Sequence, residues 1–231
     1  MFHYDYSKSQ LEGKAEDLLK AFDPERLYKS KPLDVYEVIE KCIDVPYDWK
    51  YLTPDQSILG ATAYADGYIW AWPKPYFQPG MMPFKVDVTT GTIIIDSTLI
   101  ELPDKAAENF TALHEGFHQI LHKKCFRHTR KDPYDYHVST KAAIAGVYRP
   151  MTDIEIIEWQ ANYCASAFLM PKELIQREFE KITGTLTHPV NIDTCPYGKE
   201  IRELAHDFNT SVTALKIMLK KLGLIIMEDK R

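Results

Sequence analysis

The feature that most constrains this fold is one helix-forming stretch, residues 104–123. Its apolar side chains recur at helical spacing, and Asp104, directly after Pro103, is suited to cap the helix. The apolar positions are Phe110, Leu113, Phe117, Ile120 and Leu121. Because such a stripe can face a core, the sequence predicts a buried helix here.

The same helix carries a motif of two histidines and a glutamate, residues 114–118. His114 and His118 stand one turn apart on one side of the helix, with Glu115 next to the first. Two imidazoles at this spacing can bind one tetrahedral Zn²⁺, and Glu115 can then reach a water on the metal without being a ligand. The alternative is a helix whose histidines cap or hydrogen-bond locally. The apolar stripe and a candidate third ligand favour the metal site of a zinc metallopeptidase.

A second buried helix is predicted over residues 153–170. Thr152 and Glu155 form a capping box at its start, and a proline follows its end. Its expected core face is Ile154, Ile157, Ala161, Cys164, Ala165 and Phe168. The helix also presents Glu158 and, one turn later, Asn162. Taken alone Glu158 would be an ordinary surface glutamate, but beside the histidine pair it can complete a His, His, Glu site with the fourth position open to water.

The region before the histidine helix predicts a small, mostly antiparallel sheet. Aromatic and β-branched side chains concentrate in residues 58–64, 68–72, 86–88 and 92–96. Two hairpins are expected, with turns at residues 65–67 and 89–91. We expect an extended substrate to add to the sheet edge beside residues 92–96. The fold class is therefore α+β.

A proline-rich segment, residues 72–84, lies between the two hairpins and cannot form a helix or a central strand. Its aromatic and methionine side chains allow two interpretations. They could contact a peptide substrate or partner, or they could pack over the edge of the sheet.

Composition narrows the class of protein. The chain has 231 residues and a formal net charge of -5, which argues against a protein that coats nucleic acid or an anionic membrane. The four cysteines form no CxxC pair, which fits thiols in a reducing compartment. The first ten residues lack an apolar signal core, and no apolar run is long enough to span a bilayer. We therefore expect a cytoplasmic protein without membrane contact.

The end of the chain predicts two short helices joined by a turn, residues 198–207 and 211–222, like a helix-turn-helix. The second of these helices has only three basic residues, Lys216, Lys220 and Lys221. DNA contact is therefore disfavoured relative to packing on the rest of the chain. We expect a catalytic domain over residues 1–185 and a helical appendage over residues 186–231 packed on it.

Three blocks of the sequence together resemble the ImmA/IrrE metallopeptidases. The blocks are His114-Glu115-Gly116-Phe117-His118, Glu158-Trp159-Gln160-Ala161-Asn162 and Phe168-Leu169-Met170-Pro171, which are similar to the HExxH, ExxAN and LLMP motifs of that family. The resemblance implies a zincin-like fold with a three-stranded sheet. It also implies that Glu158, in preference to Glu155, is the third zinc ligand, and that Asn162 is an outer neighbour of the ligands.

The chain departs from the family pattern in two ways. Asn109 stands where the family usually has arginine, and the 40 positions from His118 to Glu158 are a longer interval than the family usually shows. The longer interval indicates an insertion over residues 124–151. If the insertion folds across the cleft it can alter specificity or access without removing the ligands.

Further polar residues surround this predicted centre. His122 follows one more turn along the helix, where a third histidine is out of reach of a tetrahedral ion. We therefore expect His122 to be an outer neighbour of the metal ligands or a core residue. A peptidase also needs a donor for the developing oxyanion. The candidates by chemistry are Tyr134, Tyr136, His128 and His137, and the sequence does not choose between them.

The function predicted from these features is a zinc-dependent endopeptidase with Glu115 as the catalytic base. The family resemblance implies limited cleavage of a regulatory protein, a helix-turn-helix repressor of a mobile element or stress response. The alternative is a zinc-dependent sensor or transcriptional regulator that binds DNA or a protein without turnover. A third possibility is the enzyme half of a toxin and antitoxin pair. Zinc over manganese or cobalt follows from ligand type alone, and the oligomeric state is open.

Overall fold

The structure is a computed structural model that describes residues 5–76, 78–126, 136–140, 152–184, 186, 188–192 and 196–226, with the backbone alone for 136–140. The helices are α1 (Lys8–Phe22), α2 (Val35–Val38), α3 (Ala106–Phe126), α4 (Asp153–Leu169), α5 (Lys172–Thr183), α6 (Gly198–Asp207) and α7 (Val212–Lys221). The strands are β1 (Tyr47–Lys50), β2 (Ile58–Ala63), β3 (Gly67–Ala71), β4 (Phe84–Val88), β5 (Ile93–Asp96), β6 (Tyr136–Thr140), β7 (Val190–Asn191) and β8 (Ile225–Ile226). The predicted α+β class is confirmed.

The largest sheet has the strand order β1, β5, β2, β6. β5 pairs in parallel with β1 and antiparallel with β2, and β6 pairs antiparallel with β2. The sheet is mostly antiparallel, as expected. It has four strands and not three, because β6, from the segment between α3 and α4, adds to β2. The expectation that a substrate adds beside residues 92–96 is wrong, since β5 is hydrogen-bonded to a strand on each side.

The predicted hairpin turns at residues 65–67 and 89–91 are also wrong. β2 pairs with β5, and β3 pairs with β4, so the two segments face each other inside one long hairpin. Asp66 Oδ1 accepts hydrogen bonds from the backbone N of Thr90 at 2.7 Å and from its Oγ1 at 2.8 Å. Gly91, with φ of +96°, adopts the left-handed backbone that this break in the ladder requires. The turn-forming residues therefore mark a kink in two paired strands.

The proline-rich segment joins the two arms of this long hairpin. Tyr76 and Met82 are 64% and 75% exposed. Exposure at this level argues against packing over the sheet edge for these two side chains, whereas Trp72 and Met81 of the same segment are half-buried. Contact of the segment with a substrate or partner stays a prediction.

The histidine helix α3 crosses under the sheet and packs against α4. Asp104 Oδ1 accepts a hydrogen bond from the N of Ala106 at 2.9 Å, as its predicted capping role requires. Leu113, Phe117 and Leu121 are buried, and the ring of Phe117 meets that of Phe168 on α4 with centroids 6.3 Å apart. Two predicted core positions are wrong: Ile120 is 39% exposed and Ile154 is 52% exposed. Both lie at the margin of the apolar stripe, where the helix surface turns toward solvent.

The C-terminal helices share the core of the other helices. Leu204, Phe208, Leu215 and Leu219 belong to the same buried cluster as the apolar side chains of α3 and α4. Asn209, between α6 and α7, receives a hydrogen bond from the N of Leu33 at 2.8 Å and donates one to its carbonyl oxygen at 2.9 Å. The domain boundary at residue 185 stays a prediction. None of the helices in the described ranges is long and apolar enough to cross a bilayer.

Candidate metal centre

Two of the histidines of α3, His114 and His118, point to one place inside the protein. His114 is 4% exposed and His118 is fully buried. Their Nε2 atoms lie 2.9 Å apart, which follows from positions one turn apart on one helix face. The helix thus presents two ring nitrogens at a single point beneath the sheet.

Glu158 on α4 brings a carboxylate to the same point. Its Oε2 lies 3.3 Å from Nε2 of His114, and its Oε1 lies 3.3 Å from Nε2 of His118. The other glutamate considered as a ligand, Glu155, is occupied by the capping box, where its carboxylate accepts a hydrogen bond from the N of Thr152 at 2.8 Å. Of the two, only Glu158 therefore reaches the histidine pair.

This donor set fits a zinc ion. His114, His118 and Glu158 offer ligand atoms that all lie within 4.8 Å of one another. Ligand atoms around a tetrahedral zinc, each about 2.0–2.1 Å from the ion, are separated by about 3.3 Å, close to the distances present here. Two imidazoles and one carboxylate also match the three protein ligands of catalytic zinc sites.

The electrostatics of the site favour a cation. Burial is the largest influence on the pKa of His114 and lowers it, but the hydrogen bonds to Glu158 and Asn162 and the charges of Glu115 and Glu158 together raise it above 6.5. A bound metal ion would take the place of the proton that these groups attract. Asn162, the predicted outer neighbour, thus contacts His114 from one turn beyond Glu158 on α4.

His122 fixes the orientation of His118. Its Nε2 lies 2.9 Å from Oε1 of Gln160, and its Nδ1 lies 2.9 Å from Nδ1 of His118. The amide oxygen can only accept, so Nε2 of His122 carries the proton and its Nδ1 accepts one from Nδ1 of His118. This leaves Nε2 of His118 unprotonated and directed at Glu158, as a metal ligand must be. Gln160 lies inside the ExxAN block but was not predicted as a site residue, because its contact with His122 joins two different helices.

The side chain of Glu115 extends from α3 toward the sheet and is fully buried. The Oγ1 of Thr62 on β2 donates a hydrogen bond to its Oε2 at 2.6 Å. Gly60, two residues earlier on the same strand face, leaves room for the carboxylate, because a Cβ there would lie 2.5 Å from Oε1. Neither β2 residue was predicted as part of the site, although Gly60 and Thr62 alternate along one face of a predicted strand.

The structure does not test the four residues predicted as candidate oxyanion donors. Tyr134 and His128 lie outside the described residues, and the side chains of Tyr136 and His137 are not described. The structure adds Tyr64, the residue that directly follows β2, whose ring stacks on that of Phe126 at the end of α3 with centroids 4.1 Å apart. Its side chain is 5% exposed, and its hydroxyl has no hydrogen-bond partner within the described ranges. Burial first, and then the charges of Glu115 and Glu158, raises the pKa of Tyr64 well above its usual value, so the hydroxyl keeps its proton.

Comparison with models of known protein families assigns a family to this chain. Residues 83–220 match the model of a peptidase family described as the IrrE N-terminal-like domain. The matched range covers more than half of the chain and includes α3, α4, α6 and all of α7 except its last residue. A search of curated proteins found no significant match.

Proposed function

The chain belongs to the peptidase family of the IrrE N-terminal-like domain, and from this premise we propose that it is a zinc-dependent endopeptidase that makes a limited cut in a regulatory protein. The supporting observation is that His114, His118 and Glu158 meet at one buried point. The carboxylate of Glu115 is on the residue that follows His114 in α3. Metallopeptidases need these two components, a three-ligand metal site and an adjacent base.

The proposed chemistry divides roles among the residues of the site. When bound, zinc lowers the pKa of a coordinated water toward about 7 and polarises the scissile carbonyl. Glu115 accepts the proton of the attacking water and later transfers it to the leaving amine. His122 and Gln160 hold His118 in the tautomer that binds metal. The Tyr64 hydroxyl is the proposed donor to the oxyanion, since it is buried, protonated and without another partner in the described part of the chain.

The proposed substrate is a helix-turn-helix repressor in the cytoplasm. This choice rests on the family resemblance. The exposed side chains of Tyr76 and Met82 offer a surface for contacts with a protein substrate outside the scissile bond. The division into a catalytic domain, residues 1–185, and a packed appendage, residues 186–231, belongs to the same proposal.

The test compares the wild type with Glu115→Gln on a mixture of unfolded proteins and on purified helix-turn-helix repressors. New N-termini are identified by mass spectrometry. We expect the wild type to produce discrete new N-termini that a zinc chelator prevents. Glu115→Gln should retain the metal and lose at least about 100-fold in rate, because general base catalysis is removed while the ligands stay. Cleavage by Glu115→Gln at the wild-type rate would contradict the assignment.

A further inference from the structure

The strand β2 contacts the proposed catalytic base directly. Thr62 is fully buried, and its Oγ1 lies 2.6 Å from Oε2 of Glu115 and 3.2 Å from the Glu115 carbonyl oxygen. A threonine hydroxyl has one proton to donate, and the shorter of the two contacts, the one to the carboxylate oxygen, is the stronger. The hydroxyl proton therefore lies toward the carboxylate.

The contact has a cause in the burial of Glu115. A carboxylate with no exposed surface is costly unless hydrogen bonds satisfy it, and Thr62 provides one such bond from the sheet. Gly60 completes the site, because the absent side chain leaves the space that the carboxylate occupies. β2 is paired with β5 on one side and β6 on the other, so the donor sits on a strand held from both edges.

We propose that Thr62 is a positioning residue for the Glu115 carboxylate. The inference rests on the proposed peptidase function. A glutamate side chain has several rotatable bonds, and a base displaced by about 1 Å loses about 100-fold in rate. Thr62 fixes one carboxylate oxygen against the sheet and thereby fixes the base relative to His114 and His118. Its role is exerted through Glu115 and not through contact with the metal or the substrate.

The first test compares Thr62→Val with Thr62→Ser. Valine keeps the shape and removes the hydroxyl, whereas serine keeps the hydroxyl and removes a methyl group. We expect Thr62→Val to lower kcat by about 10- to 100-fold with KM and zinc content unchanged. Thr62→Ser should stay within a few-fold of wild type. Wild-type kcat in Thr62→Val, or an equal loss in Thr62→Ser, would overturn the proposal.

A matched control removes the same kind of hydrogen bond elsewhere. Thr98 is a buried threonine whose Oγ1 donates to the fully buried carboxylate of Asp96, which has no role in the proposed chemistry. Thr98→Val should lower the melting temperature while leaving kcat at the wild-type value. If Thr98→Val lowers kcat as much as Thr62→Val does, the loss reflects general destabilisation and the positioning role is wrong.

The second test needs neither metal nor turnover. Thermal unfolding of the metal-free protein is compared for Thr62→Val in the wild type and in Glu115→Met. The substitution should lower Tm clearly more when a carboxylate faces residue 62 than when methionine does, because the methionine variant leaves the hydroxyl only the longer contact to the carbonyl oxygen of residue 115. An equal fall of Tm in both backgrounds would overturn the proposal. If no variant cleaves any protein, the proposed function fails, and this unfolding cycle still decides whether Thr62 holds Glu115.

Discussion

Replacement of Gly60 by alanine is expected to damage catalysis without removing the metal. The added Cβ would lie 2.5 Å from Oε1 of Glu115, 2.8 Å from Cγ2 of Thr111 and 2.9 Å from Cγ of Glu115. Ordinary contact begins near 3.4 Å, so the carboxylate must move by about 0.9 Å. A displacement of about 1 Å costs about 100-fold in rate, equivalent to about 2.7 kcal/mol of transition-state stabilisation. Overpacking should also lower the free energy of unfolding by about 1–3 kcal/mol.

The assay measures kcat, zinc content and urea unfolding for Gly60→Ala beside two other glycine variants. A Cβ at Gly13 on α1 meets nothing within 4 Å, so Gly13→Ala should match the wild type in rate. A Cβ at Gly116, directly after the base, meets only the end of the flexible Ile43 side chain at 2.6 Å. Gly116→Ala should therefore lose much less than Gly60→Ala, and alanine favours the helix by about 1 kcal/mol. A folded Gly60→Ala with wild-type kcat would refute the reasoning.

Three further outcomes are expected. His118→Ala should bind no zinc and show no turnover in elemental analysis and cleavage assays, because one ligand and its link to His122 are lost; zinc retained in full would count against the ligand set. Phe168→Ala should lower the free energy of unfolding in urea by about 3–5 kcal/mol, since a fully buried ring is removed, and a loss below about 1 kcal/mol would be inconsistent with this core. In the metal-free protein the pKa of His114 is raised above 6.5. Protonated His114 therefore stabilises the fold fully below pH 6.5, and this contribution is lost as the pH rises through the raised pKa. Zinc competes with that proton, so zinc affinity measured with a chelating dye should fall as pH falls through the raised pKa, and a constant affinity from pH 8 to about 6 would contradict the coupling.

The helices that carry the site could be predicted from the sequence because their signals are local. The spacing of His114 and His118 places them on one helix face wherever the helix lies, and the capping box at Thr152 defines the start of α4. The pairing of Glu158 with the histidines came from chemistry and from the family resemblance. The spacing within each helix does not determine how two helices pack.

The strand pairing and the neighbours of Glu115 could not be predicted in the same way. Residues 65–67 and 89–91 have the composition of hairpin turns, but the contact of Asp66 with Thr90 joins segments 24 residues apart and converts both into a kink. Thr62 contacts Glu115 across 53 residues of sequence. A buried hydrogen bond of this kind depends on the register of the strand against the helix, which no local pattern records.

The most direct test of the metal centre is the zinc content of the purified wild type, Glu158→Ala and Glu155→Ala by elemental analysis. The two glutamates lie one turn apart on α4, yet only Glu158 reaches the histidine nitrogens, while Glu155 belongs to the exposed capping box. We predict about one zinc per chain in the wild type and in Glu155→Ala, and a loss of zinc in Glu158→Ala. Equal zinc in Glu158→Ala and wild type, or no metal in any of the three, would contradict the proposed centre.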